Sequence, residues 1–139
     1  MTTLYLVDNS VFRRLPHQPQ VADALRAFAA RGLFATCLPI TLDAGHSATN
    51  GEQHAHVIEL INARRRLPIT AEIEQLAVAL QASLWHGGLV RAAGVNDLVI
   101  AATAIVHDAV VLHYDADYEH IARVSELNQI WVVPRGSAV

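Results

Sequence analysis

The segment 94–107, GVNDLVIAATAIVH, limits what this chain can fold into more than any other stretch. It holds one carboxylate, Asp97, followed by Leu98, Val99, Ile100, Ala101, Ala102, Ala104, Ile105 and Val106, which leave almost no polar face. A helix that is apolar all round has to be enclosed by protein. Its small residues let neighbouring backbone come close. The segment therefore reads as a central helix with a single acid at its N-terminal end, where an acid also serves as an ordinary cap.

The flanking sequence supplies what encloses it. Thr3–Val7 (TLYLV) is a short apolar run of strand formers ending at Asp8, as a buried parallel strand would be. A helical turn over 11–15 is closed by Pro16, and an amphipathic helix over 20–30 carries Val21, Ala24, Leu25 and Phe28 on one side. A second strand is predicted over 33–37, and a helix holding Asp43 opens at Pro39 and Thr41. Further helices are predicted over 52–64, ended by Arg64, Arg65 and Arg66, and from Thr70 to the Gly87–Gly88 stop. A third strand over 109–113, a helix over 117–127 and a last strand over 130–133 complete the chain. Strands alternating with helices mean an α/β fold around a parallel sheet. At 139 residues, 53% of them hydrophobic, the chain is expected to form one domain over 1–139 with a substantial core.

Composition excludes several chemistries. All ten basic residues are arginines, so no lysine is present for a phosphate-binding loop or a Schiff base. The single cysteine, Cys37, allows no disulfide within the chain and no cysteine-based zinc site. No apolar run is long enough to cross a membrane, and the N-terminus lacks the pattern of a secretory signal, which together favour the cytoplasm.

The acids carry the remaining signal. Asp8 and Asp115 stand just past predicted strands, Asp97 opens the central helix, Asp43 follows the second strand by a few residues, and Asp117 comes two residues after Asp115. Right-handed crossovers bring parallel strand ends to one edge of the sheet, where sites form in open α/β folds. Carboxylates about 5 Å apart at an effective dielectric near 20 repel by roughly 3 kcal/mol a pair. Either the acids are not close, or some are protonated, or a cation sits among them, and an all-oxygen donor set points to Mg²⁺ or Mn²⁺. Taken singly, Asp97 and Asp117 also fit helix caps and Asp43 a solvated helix face.

The motifs LVDNS (6–10), PITLDAGHSA (39–48), NDLVIAATA (96–104) and LHYDADYEHIA (112–122), in this order and spacing, resemble the PIN-domain nucleases, in particular bacterial VapC-type toxins of toxin–antitoxin pairs. The resemblance covers essentially the whole chain. It implies a three-layer α/β/α sandwich and metal-dependent RNA cleavage leaving a 5′-phosphate and a 3′-hydroxyl, with Mg²⁺ or Mn²⁺ as the ion. By position, Asp8, Asp43, Asp97 and Asp115 match the four metal-site acids and Asp117 a further one. Ser10 matches a hydroxyl that steadies the first acid, and Arg91 a basic residue before the third motif, a candidate phosphate contact. A small cognate antitoxin and a homodimer are the implied partners. Two positions depart from the pattern: Asp43 stands where Glu is usual, and Asn9 where Thr is common.

The net charge of −3 is unusual for an RNA-binding protein, but it is concentrated in the candidate acids, leaving Arg13, Arg14, Arg64, Arg65, Arg66 and Arg91 for phosphates. Of the eight histidines, His46 and His113 share a side with Asp43 and Asp115, in packing or supporting roles. Two other functions fit parts of the pattern. An aspartate-based phosphatase would use Asp8, but it calls for a second Asp two positions on, where Ser10 stands, and for a lysine. A catalytically silent PIN-fold binding module would have no need of all four acids.

Overall fold

The computed structural model describes residues 2–138. Five parallel strands form one sheet in the order β3-β2-β1-β4-β5. They are β1 (Thr3–Val7), β2 (Gly32–Thr36), β3 (Arg65–Arg66), β4 (Val110–His113) and β5 (Gln129–Trp131). The helices are α1 (Asn9–Arg14), α2 (Pro19–Arg31), α3 (Leu38–His46), α4 (Gly51–Asn62), α5 (Ala71–His86), α6 (Val95–Val106) and α7 (Asp117–Arg123).

Alternation along the strands builds two cores. Leu6, Ala35 and Val111 face a cluster completed by α5, α6 and α7, while Tyr5, Val7 and Leu112 face a second cluster with Val11 of α1 and Val21, Leu25 and Phe28 of α2. This is the three-layer α/β/α sandwich expected from the resemblance. The segment predicted as central is α6, where Leu98 and the run from Ile100 to Ala104 are buried. Its hydroxyl-bearing residue, Thr103, donates to the Val99 carbonyl at 2.7 Å, so no polar group is orphaned.

Strand order reverses between β1 and β4: from β1 the chain runs outward to β2 and β3, and β4 and β5 lie on the other side. The carboxyl ends of β1 and β4 therefore flank the switch-point crevice where ligands bind in such sheets.

Several boundaries differ from the sequence reading, among them the last strand, which spans Gln129–Trp131 and not 130–133; three differences have a visible cause. Arg65–Arg66 is not a helix end but a two-residue edge strand, paired with Ala35 and Thr36 of β2. Two exposed arginines carry no apolar alternation, and only main-chain pairing makes them a strand. Asp8 caps α1, which therefore begins at Asn9, ahead of the predicted turn. The last helix stops at Arg123 and not at Leu127, because Leu127 is drawn into the core and Ser125 turns the chain.

Candidate metal centre

Asp8 leaves the end of β1 with its main chain still tied to β4, its N–H donating to the Leu112 carbonyl at 2.9 Å. Its side chain is buried and held on both oxygens. The Ser10 backbone N–H donates to Oδ2 at 3.1 Å, and the Tyr118 hydroxyl donates to Oδ1 at 2.9 Å. Ser10's own hydroxyl does not reach Asp8. It accepts from the Tyr114 N–H at 2.9 Å and fastens the end of β4 to the start of α1.

Asp97 stands in the first turn of α6 but is not its cap, since that position is Gly94. Its Oδ1 lies 3.2 Å from the same Tyr118 hydroxyl that serves Asp8. A phenol has one proton to give, so it cannot donate to two carboxylates at once. Unless one acid is neutral or a cation intervenes, one of these contacts is repulsive. Asp97 bears the strain: burial foremost, then a shared hydrogen bond with Asp117 and the charges of Asp8, Asp115 and Asp117, push its pKa up to about 8.

Asp115 follows β4. Its N–H donates to His113 Nδ1 at 3.0 Å, and its Oδ1 accepts from the Asp117 N–H at 3.0 Å. Burial, then the charges of Asp117 and Asp8, raise its pKa against that hydrogen bond. Asp117, in the first turn of α7, accepts the Gly94 N–H at 3.3 Å and so joins the start of α6 to the start of α7. Neither Asp97 nor Asp117 is the simple cap that each fits when taken singly.

His113 is fully buried. Accepting from Asp115 at Nδ1, it carries its hydrogen on Nε2, which meets Gln129 Oε1 at 2.6 Å. Burial lowers its pKa and favours this neutral ring. It packs between Tyr118 and Trp131 and holds the Asp115 main chain in place.

Asp43 enters from α3. Its Oδ2 accepts from Asn9 Nδ2 at 3.0 Å and from Arg13 Nη2 at 2.6 Å, while the Asn9 amide also donates to the Ile40 carbonyl at 2.8 Å. Asp8, Asp43, Asp97 and Asp115 thus line one cleft of about 110 Å³, with Asn9 and Arg13 on its wall. Carboxylate oxygens of Asp97, Asp115 and Asp117 lie within 4.8 Å of one another. This crowded, all-carboxylate donor set fits a hard divalent cation.

Arg91 lies elsewhere. It sits in the left-handed region at φ 57° and lines a separate hollow of about 430 Å³ with Trp85 and Val95. Arg64 stacks on Phe12 at 4.0 Å, and burial lowers its pKa to about 10. Arg66 is engaged by Asn62 at 3.2 Å.

Tyr118, Gln129 and the Asn9–Asp43–Arg13 contact are not singled out by the sequence reading. The spacing of Tyr118, three after Asp115, was the available signal for the first of them.

Comparison with known proteins gives a consistent picture. The PIN domain family profile matches residues 5–124. Ribonuclease VapC21 of Mycobacterium tuberculosis (strain ATCC 25618 / H37Rv) is 36% identical over 145 residues, covering 99% of this chain and 100% of its own length. Ribonuclease VapC51 of the same strain is 34% identical over 137 residues, covering 99% of this chain and 98% of its own. Among solved structures, VapBC2 from Rickettsia felis, bound to a DNA fragment from its promoter, superposes with a TM-score of 0.74 at 18% identity over 93% of this chain and 99% of the other. The sarcin-ricin-loop-cleaving toxin VapC20 of Mycobacterium tuberculosis gives 0.64 at 16% identity over 91% and 99%. At those identities the two structures show the shared fold.

Proposed function

The chain belongs to the PIN-domain family and, within it, to the VapC ribonucleases, and from that premise we propose that it is a metal-dependent endoribonuclease, the toxin of a toxin–antitoxin pair. The observation that carries the reading is the convergence of Asp8, Asp97, Asp115 and Asp117, from four different elements, around the Tyr118 hydroxyl and one small cluster of oxygens. Acids so placed repel one another unless a cation joins them or one of them keeps a proton.

In this reading Asp97, Asp115 and Asp117, with Asp8 beside them, hold Mg²⁺, for which Mn²⁺ substitutes. Such an ion, when bound, lowers the pKa of water and offsets charge on the phosphate. The protein's part is placement. Tyr118 and the Ser10 N–H fix Asp8, His113 and the Asp117 N–H fix Asp115, and Asp117 anchors the start of α6. The reaction is phosphodiester hydrolysis. Water oxygen bonds to phosphorus, the bond to the 3′-oxygen breaks, a cleft carboxylate takes the water's proton, and the leaving oxygen is protonated from solvent.

The substrate is RNA and the place of action the cytoplasm. A cognate antitoxin restrains the activity, and the single nuclease domain works as a homodimer. Arg91, away from the cleft, is available to RNA lying outside it.

Cleavage of a labelled RNA with Mg²⁺ or Mn²⁺, with a chelator control, tests the reading. Asp8→Asn and Asp97→Asn should each abolish cleavage while the protein still melts cooperatively. Undiminished cleavage by both variants would reject this site.

A further inference from the structure

We propose that Asp43 is not a metal ligand in this chain but a positioning residue for Arg13, whose guanidinium binds the RNA phosphate at the cleft. The inference rests on the ribonuclease reading above and assigns one wall of that same site.

Three observations converge. The oxygens close enough to share an ion belong to Asp97, Asp115 and Asp117; Asp8 is joined to Asp97 through the Tyr118 hydroxyl, whereas the hydrogen bonds of Asp43 run to α1. Asp43 Oδ2 already receives two donors, Asn9 Nδ2 at 3.0 Å and Arg13 Nη2 at 2.6 Å. Asn9 is itself locked by the Ile40 carbonyl at 2.8 Å, so the carboxylate is aimed at Arg13 by a buried strut. The shorter acid at position 43 and the amide at position 9 therefore form a single device.

Arg13 is the one basic side chain among the described residues that line the cleft. It is 64% exposed, so its ion pair with Asp43 adds little to stability. A guanidinium has five donor hydrogens, and one contact to Asp43 leaves others for a phosphate in fork geometry. A phosphodiester approaching four or five carboxylates needs a counter-charge besides any ion, and Arg13 is placed to supply it.

The test compares wild type, Asp43→Asn, Arg13→Ala, the double variant and Asp97→Asn, each as the full chain. Mn²⁺ binding to the RNA-free protein is measured by calorimetry, and cleavage of an RNA oligonucleotide is followed at saturating Mn²⁺. Asp43→Asn and Arg13→Ala should keep Mn²⁺ affinity within about twofold, whereas Asp97→Asn loses about tenfold or more. Both should raise KM about tenfold with a smaller change in kcat, as expected when a ground-state phosphate contact is removed. The double variant should be no worse than Arg13→Ala alone, because the two residues act as a unit. Loss of Mn²⁺ affinity in Asp43→Asn comparable to that in Asp97→Asn, or an unchanged KM in Arg13→Ala, would overturn the proposal. Should Asp43→Asn not fold, Arg13→Ala, which leaves the acid in place, decides alone through its KM. A wild-type protein that neither binds Mn²⁺ nor cleaves RNA would instead remove the ribonuclease reading beneath it.

Discussion

The acid cluster should make the metal-free protein lose stability as pH rises through neutrality. The Asp97 pKa is raised from 3.8 to about 8 in the folded state, so the folded chain keeps a proton that the unfolded chain has already released. Stability linked to such a group is fully present below about pH 4 and is lost as pH climbs through about 8. One proton changes stability by about 1.4 kcal/mol per pH unit, which caps the loss between about pH 6.5 and 8 near 2 kcal/mol. Solvent reaching this half-buried carboxyl reduces the figure to about 1 kcal/mol. Asp115 is raised as well and acts in the same direction. His113 works oppositely, because its lowered pKa contributes stability above the unfolded value of 6.5 and loses it below; between about pH 6.5 and 8 it offsets at most about 0.4 kcal/mol of the fall, as the unfolded imidazole gives up its remaining half proton. In a chain of this size about 1 kcal/mol corresponds to a Tm change of roughly 3–5 °C. Thermal melts in chelator should therefore show wild type falling by that amount from pH 6.5 to 8, and Asp97→Asn losing most of the fall. Mn²⁺ at about a hundred times its Kd should add about 2.7 kcal/mol to wild type and far less to the variant. A wild-type Tm that rises across this window, or an Asp97→Asn protein that falls as steeply as wild type, would refute the reasoning.

Three other perturbations have defined outcomes. Tyr118→Phe removes the hydroxyl lying between Asp8 and Asp97 and should cost about 1–2 kcal/mol in urea unfolding, with a parallel loss of Mn²⁺ affinity. Gln129→Ala leaves the buried His113 Nε2–H without its acceptor; about 1–2 kcal/mol of stability should go, and the ¹⁵N shifts of the imidazole should show a mixed tautomer. At Gly32 an added Cβ would lie 2.3 Å from the Thr3 carbonyl oxygen, against the strand it pairs with. Gly32→Ala should therefore destabilise by about 1–3 kcal/mol, visible as faster amide exchange along β1 and β2.

How much of this could be read in the chain follows from the range over which each constraint acts. The α/β alternation around a parallel sheet was legible because its signals are local, the three layers being what the family resemblance added: TLYLV and VVLH are apolar runs bounded by polar residues, and 94–107 has no polar face to show to solvent. Asp8, Asp97 and Asp115 were legible for the same reason, since each stands where an apolar pattern begins or breaks off, and topology places such junctions together. Arg65–Arg66 was not, because a two-residue edge strand is made by its neighbour's main chain and leaves no pattern of its own. The parts that give the site its shape act at long range. Tyr118 reaches Asp8 across 110 positions, and Asn9 reaches Asp43 across 34. In sequence Tyr118 is one more large residue on a core-facing helix, and Asn9 is a departure from a motif. Only when α1 and α3 pack side by side does the Asn9 departure acquire a partner in the other departure, Asp43. The two altered positions touch, so a change at either one alters what the other can hold, and the wall of the cleft that bears Arg13 must be understood as a pair of substitutions and not as two separate losses.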